Sequence, residues 1–263
     1  VLNRYFIHLS YDGTAYHGWQ YQPNAISVQQ VLTEKISTLL REKIDLVGAG
    51  RTDTGVHASC YFAHFDSLQK ELHLDEEIIF KLNHMLPPDI AAHRLYAMPE
   101  NAHARFAAVS RTYHYRVRNV KDPFAQNRYW ETYWPLDIGK MNAAAGCLLQ
   151  HEDFSSFART GSDNKTNLCR LDEAHWKKEG DTFIFTITAN RFLRNMVRAV
   201  VGTLVDVGRG KLQVEDMNAI IEEKKRSEAS MSAPACGLYL ADIRYPEHYG
   251  LGLSKENMNE TRV

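Results

Sequence analysis

The chain has 263 residues, 44% of them hydrophobic, with 31 Lys and Arg against 32 Asp and Glu and a formal net charge of -1. That is enough to bury a sizeable core, in one large domain or two of roughly 130 residues, and it excludes a chain held to nucleic acid by overall charge alone. There is no apolar run of about 18 residues to span a membrane, and the cysteines at 60, 147, 169 and 236 form no Cys-x-x-Cys pair, which points to reduced, structural thiols.

Residues 4–10 alternate like a strand, with no basic-then-apolar leader before them, so the expected address is the cytoplasm. A turn follows in "YDGTAYHGW", strongest at Asp12-Gly13. Ser27, with Gln30 three residues on, caps a helix whose Val28, Val31, Leu32, Ile36, Leu39 and Leu40 form one apolar stripe. "IDLVGAG" reads as a short strand running into glycines and "CYFAHF" as the next strand. A second helix over 75–85 stops at Pro87-Pro88, and "IAAHRLYAM" is extended.

From Ser110 the order restarts with a strand over 111–118, a helix over 138–149 and a hairpin around Lys178-Gly180. A helix over 192–207 and a strand over 237–244 follow. The repeated order predicts two α+β halves that could share one sheet, 1–107 and 108–246, with a polar tail over 247–263 that frays toward "SKENMNETRV".

Local charge departs from the balanced total. Arg105, Arg111, Arg116, Arg118, Lys121 and Arg128 face one acid, Asp122, and are interleaved with Tyr113, Tyr115 and Phe124. A second cluster holds Arg191, Arg194, Arg198, Arg209 and Lys211, opposed by Asp206. One such run is ordinarily a solvated face, whereas two, with aromatics in one, point to a polyanionic partner.

"GAGRTDTGVHA", residues 48–58, sets Asp53 near Arg51 among three glycines. The stretch lacks both the Gly-Lys-Ser/Thr ending of a P-loop and the G-x-G-x-x-G spacing, and its central acid would repel a phosphate. Asp beside Thr and Gly commonly caps a turn. Against that bland role stands the arginine cluster. On the helix predicted over 192–207, extended back to include Arg191, the residues Arg191, Arg194 and Arg198 share a sector of about 60°. A guanidinium at about 4 Å attracts a carboxylate by on the order of 4 kcal/mol at an effective dielectric near 20, before desolvation. Such a partner favours the charged form of an acid and fixes its direction, as a nucleophile or general base acting on a bound polyanion requires.

These motifs, with "YDGTAYHGWQYQP", "HARFAAVSRTYHYRV", "FLRNMVRAVVGTLVDVGRG" and "APACGLYLADIRYP", resemble the TruA family of tRNA pseudouridine synthases in order over about residues 4–246. The resemblance implies an isomerase converting uridine to pseudouridine at nucleotides 38 to 40 of the tRNA anticodon stem-loop, without cofactor or metal, as a homodimer. It implies an α+β fold of two related halves joined in a continuous, mostly antiparallel sheet with a basic central cleft. It assigns catalytic roles to Asp53, Arg51 and Arg198, the last pairing with the acid, and lays Tyr113 against the target base. Arg191 and Arg194 are further substrate-binding candidates. The "SDNKTNL" and "LCR" stretches match less closely. His57, His64 and His103 lack His-Glu-x-x-His spacing and read as core or RNA-facing residues. The competing reading is a non-catalytic RNA-binding module, which gains nothing from a carboxylate at its centre.

Overall fold

The computed structural model describes residues 2–161 and 165–251; the 254–263 stretch expected to fray and residues 162–164 of "SDNKTNL" lie outside it. In chain order the elements are β1 (Asn3–Tyr11), α1 (Val28–Leu40), β2 (Val47–Gly48), β3 (His57–Ser67), α2 (Glu76–Met85), β4 (Ile90–Met98) and β5 (Ser110–Arg118). After these come β6 (Trp130–Glu131), α3 (Ile138–Leu148), β7 (Leu171–Glu179), β8 (Thr182–Ala189), α4 (Met196–Gly208), α5 (Asp216–Glu223) and β9 (Leu238–Arg244).

The fold is α+β. The strands form one mostly antiparallel sheet in the order β4-β1-β3-β9-β5-β8-β7, with β2 on β3 and β6 on β5. At its centre β3 and β9 run parallel, through His57 opposite Tyr239 and Ala58 opposite Leu240. This junction lies just beyond the Asp53 loop, so strands from both ends of the chain meet beside it.

Two apolar cores flank the junction. In the first, the α1 stripe of Val28, Leu32, Ile36 and Leu40 packs with Ile7, Leu9, Ala63 and Phe65 of the sheet. Ser27 Oγ accepts the Gln30 backbone N–H at 3.3 Å, and Val31 and Leu39 lie at the edge of the stripe. α2 ends because Leu86, preceding Pro87, takes extended backbone. In the second core, Tyr115, Val117, Phe185 and Ile187 pack with α3 and α4. Each fully buried side chain of this size contributes about 1.5–3 kcal/mol relative to exposure.

The expected helix over 192–207 begins at Met196 instead. Asn195 takes a left-handed conformation (φ 66°), held by its amide donating to Ser232 Oγ at 2.6 Å, and this breaks the helical repeat. Arg191 and Arg194 therefore precede the helix, and the shared helical sector does not exist. α4 is buried almost all round because residues 229–233 cross it: a Cβ on Gly202 would come within 1.9 Å of the Met231 carbonyl oxygen. Within the stretch expected as a polar tail over 247–263, Tyr249 packs on the first core and Leu251 is buried in it. α5, not foreseen, buries Met217, Ile220 and Ile221, too short a pattern to separate from a loop. Among the described residues no helix is long and apolar enough to cross a membrane.

Candidate active site

The loop carrying Asp53 is built against the 11–19 segment. Tyr11 and Thr52 share a buried hydroxyl–hydroxyl hydrogen bond of 2.9 Å, and the Trp19 and Gly55 N–H groups donate to the Thr52 and Tyr16 carbonyls at 3.3 Å each. Asp53 itself opens a turn, its carbonyl accepting from Val56 N–H at 3.1 Å. The contact is so close that only glycine fits. A Cβ at Gly13 would lie 2.0 Å from the Val56 carbonyl oxygen, and one at Gly18 (φ +83°) 2.2 Å from that of Thr52. The two motifs that looked separate in the sequence are thus one interlocked structure. Gly18→Ala is expected to destabilise the protein by more than about 1 kcal/mol and to lower kcat more than it raises KM, since it displaces the backbone next to Asp53. A thermal melt with steady-state kinetics checks this, and an unchanged Tm and kcat would refute the interlock.

Two guanidiniums approach the Asp53 carboxylate, which is 33% exposed: Arg194 Nε at 3.8 Å from Oδ1 and Arg198 Nη1 at 3.9 Å from Oδ2. They differ in footing. Arg198 is 23% exposed, sits in the first turn of α4, and donates from Nε to the Ala233 carbonyl at 2.7 Å. Arg194, in the turn before the helix, is 58% exposed, so water screens most of its attraction. Two of the three arginines predicted to meet on a helix face, Arg194 and Arg198, are delivered instead by a left-handed turn and the helix start behind it.

Arg51 and Arg191 are not brought to the acid. Arg51 is exposed and makes no ion pair with Asp53 among the described residues. Arg191 instead places its charge near the Cys169 thiol. The arginine runs also divide. Arg116 lies over the Tyr239 ring at 4.2 Å, Arg118 pairs with Asp122, and Arg128 is 3.7 Å from Asp12. Arg209 lies over Trp134 at 3.5 Å and, with Lys211, pairs with Asp206 at the far end of α4.

Tyr113, on β5, is half-buried and meets Phe192 edge-on at 5.0 Å. Burial pushes its hydroxyl up to about 12, against the lowering effect of Arg111 and with a further rise from the Asp53 charge. Tyr113 is therefore a neutral phenol at working pH, close enough to Asp53 to sense its charge. The sequence placed Arg111 only in a basic run, whereas its Nη2 donates to the carbonyls of Ala49 (2.8 Å) and Arg105 (2.9 Å) and so ties β5 to the Asp53 loop. Its place two residues before Tyr113 was the available signal.

His57 is a buried tie. Its Nδ1 accepts from Gly13 N–H at 3.1 Å, and its Nε2 lies 2.9 Å from the Asn127 carbonyl and 3.1 Å from that of Cys236. His64 accepts the Ala104 N–H at 3.2 Å. Burial raises the thiols of Cys60 to about 12 and Cys169 to about 11, and that of Cys236 as well, which suits structural cysteines. Among the described residues no three His, Cys, Asp or Glu side chains gather as metal ligands do.

The sequence that carries this site is similar to known proteins over most of its length. A profile described as tRNA pseudouridine synthase matches residues 8–107 and 144–246. The tRNA pseudouridine synthase A of Bacteroides fragilis is 49% identical over 247 residues, covering 94% of this chain and 98% of that one. That of Porphyromonas gingivalis is 50% identical over 245 residues (92% and 97%), and that of Thermoanaerobacter pseudethanolicus 40% identical over 239 (90% and 97%). With nearly the full length matched, the chain belongs to the tRNA pseudouridine synthase family, whose members are uridine-to-pseudouridine isomerases.

Proposed function

We propose that this protein converts uridine to pseudouridine at nucleotides 38 to 40 of the tRNA anticodon stem-loop, with Asp53 as the nucleophile. The observation that carries the reading is an aspartate approached by Arg198 at 3.9 Å and Arg194 at 3.8 Å, with Tyr113 close by. In this reading the half over 1–107 supplies the acid and the half over 108–246 supplies Tyr113, Arg194 and Arg198. The relatives' name supports tRNA as the substrate. The family resemblance further supports a cytoplasmic homodimer, which light scattering on the purified protein tests.

The target uridine leaves its stack so that its C1′ meets the carboxylate, as enzymes acting on bases within a duplex require. An Asp53 oxygen attacks C1′ while the N1–C1′ bond breaks, uracil departing with the electron pair as in glycoside cleavage. The freed base turns against Tyr113, and C5 attacks C1′ and displaces Asp53. The C5 proton leaves and N1 gains one. Nothing is oxidised or added, so the rearrangement balances without a redox partner. Holding the base in the site makes its recapture effectively intramolecular. Arg51 and Arg191 are assigned to the RNA backbone beside the cleft.

An unmodified tRNA transcript tritiated at uridine C5 tests the reading: tritium passes to water while the RNA mass, apart from that exchange, stays unchanged. Binding without release would favour an RNA-binding module, and free uracil would indicate hydrolysis. Tyr113→Ala is expected to lower kcat/KM by roughly 5- to 150-fold, the worth of one stacked base, and Tyr113→Phe to recover most of it. A Phe variant as poor as Ala would assign the hydroxyl to proton transfer at C5.

A further inference from the structure

We infer that Phe106 is a stacking platform for a nucleobase flanking the flipped uridine, an inference that rests on the proposed function. Phe106 is 76% exposed, leaving its ring open to a partner. The ring is not loose. His103 lies against it at 4.3 Å, and the Arg105 guanidinium lies 5.6 Å from its centroid. His103 Nδ1 accepts the backbone N–H groups of Arg105 (3.1 Å) and Phe106 (3.4 Å), and the Ala107 N–H donates to the His103 carbonyl at 2.9 Å, closing a tight turn beneath the ring.

This turn is anchored to the catalytic loop. Arg111 donates from one nitrogen to the carbonyls of both Arg105 and Ala49, at 2.9 and 2.8 Å. Ala49 is four residues before Asp53, and a chain advancing 3.8 Å per residue places the two within about 15 Å. The two Arg111 hydrogen bonds, 2.8 and 2.9 Å, extend the path to the Arg105 carbonyl, so at about 3.4 Å of rise per stacked nucleotide the span is at most about six nucleotides of a bound strand. Residues 103–111 hold His103, Arg105 and Arg111 and no acid, so the surroundings of the ring suit a phosphate backbone.

Flipping a uridine from a stem strips its neighbour of one stacking face. An exposed aromatic ring with arginine beside it offers a replacement face and is tolerant of base identity. Phe106 is thus a substrate-binding residue that holds the gap open, while Tyr113 holds the departing base.

The test is a binding cycle with the full-length protein, using unmodified tRNA transcripts in which each of the two nucleotides on either side of the target is in turn made abasic. The expected result is that Phe106→Ala weakens binding of intact RNA on the order of tenfold to a hundredfold. One abasic position should weaken wild-type binding comparably yet add little in Phe106→Ala, and Phe106→Trp should restore the coupling. If every abasic position penalises both proteins equally, or Phe106→Ala binds intact RNA like wild type, the inference is wrong. A fall from dimer to monomer in Phe106→Ala would also overturn it by assigning the ring to a second copy of the chain. Should the Ala variant fold poorly, Phe106→Leu replaces it as the apolar, non-aromatic case. Tritium release by the wild type reports the isomerase reading separately, because the cycle is measured by binding.

Discussion

Asp53→Asn is expected to lower tritium release from uridine C5 by about 10⁴-fold or more, the scale of loss when a catalytic carboxylate or nucleophile is removed. The amide keeps the shape of the carboxylate and removes its ability to attack C1′. Its two ionic contacts, at 3.8 and 3.9 Å on a part-exposed group, contribute about 1 kcal/mol or less each. Tm should therefore move by no more than about 4 °C per contact. Binding of tRNA should be equal or tighter, because a negative charge is removed from a site facing a polyanion. Release and binding measured on the same preparation decide the matter. A variant that still releases tritium within tenfold of wild type would return Asp53 to the role of a turn residue.

Arg198→Ala is expected to lower kcat by about 10²-fold, the usual consequence of misplacing a reacting group by about an ångström. KM should stay within a few-fold. The residue joins three things: its backbone carbonyl accepts from Ala233 N–H at 2.9 Å, its Nε donates to the Ala233 carbonyl at 2.7 Å, and its Nη1 lies 3.9 Å from Asp53. Truncation leaves Asp53 to Arg194, which is mostly in water. Arg198→Lys should recover little, since one ammonium cannot replace a planar fork that serves a carbonyl and a carboxylate at once. Single-turnover rates separate this clamp from a phosphate grip: unchanged kcat with raised KM would mean that Arg198 holds RNA backbone.

Most elements were legible along the chain because their signals are local. α1 carries its cap at Ser27 and its stripe at helical spacing, and β1, β3 and β5 are rich in aromatic residues. α4 was misjudged at its start because "RFLRN" has helical composition, and the left-handed Asn195 depends on Ser232, 37 residues away. The Asp53 loop stood out as a candidate site from its acid among glycines and from the family motifs. Its clamp was only half legible. Of Arg51, Arg191, Arg194 and Arg198, sequence proximity favoured Arg51 and helical phase favoured all three of the others, whereas Arg194 and Arg198 are the two that reach the carboxylate.

By itself, the sequence determined the α+β class and the family and singled out Asp53 and Tyr113 as candidates, since each is written in residues near one another or in motifs read in order. Only the tertiary structure decided that β3 and β9 join in parallel beside the Asp53 loop, that Gly13 and Gly18 admit that loop, and which arginines face the acid. The physical reason is distance along the chain. A carboxylate at 53 and a guanidinium at 198 meet through a sheet junction and a crossing segment at 229–233, and no local propensity at either residue encodes where those put it.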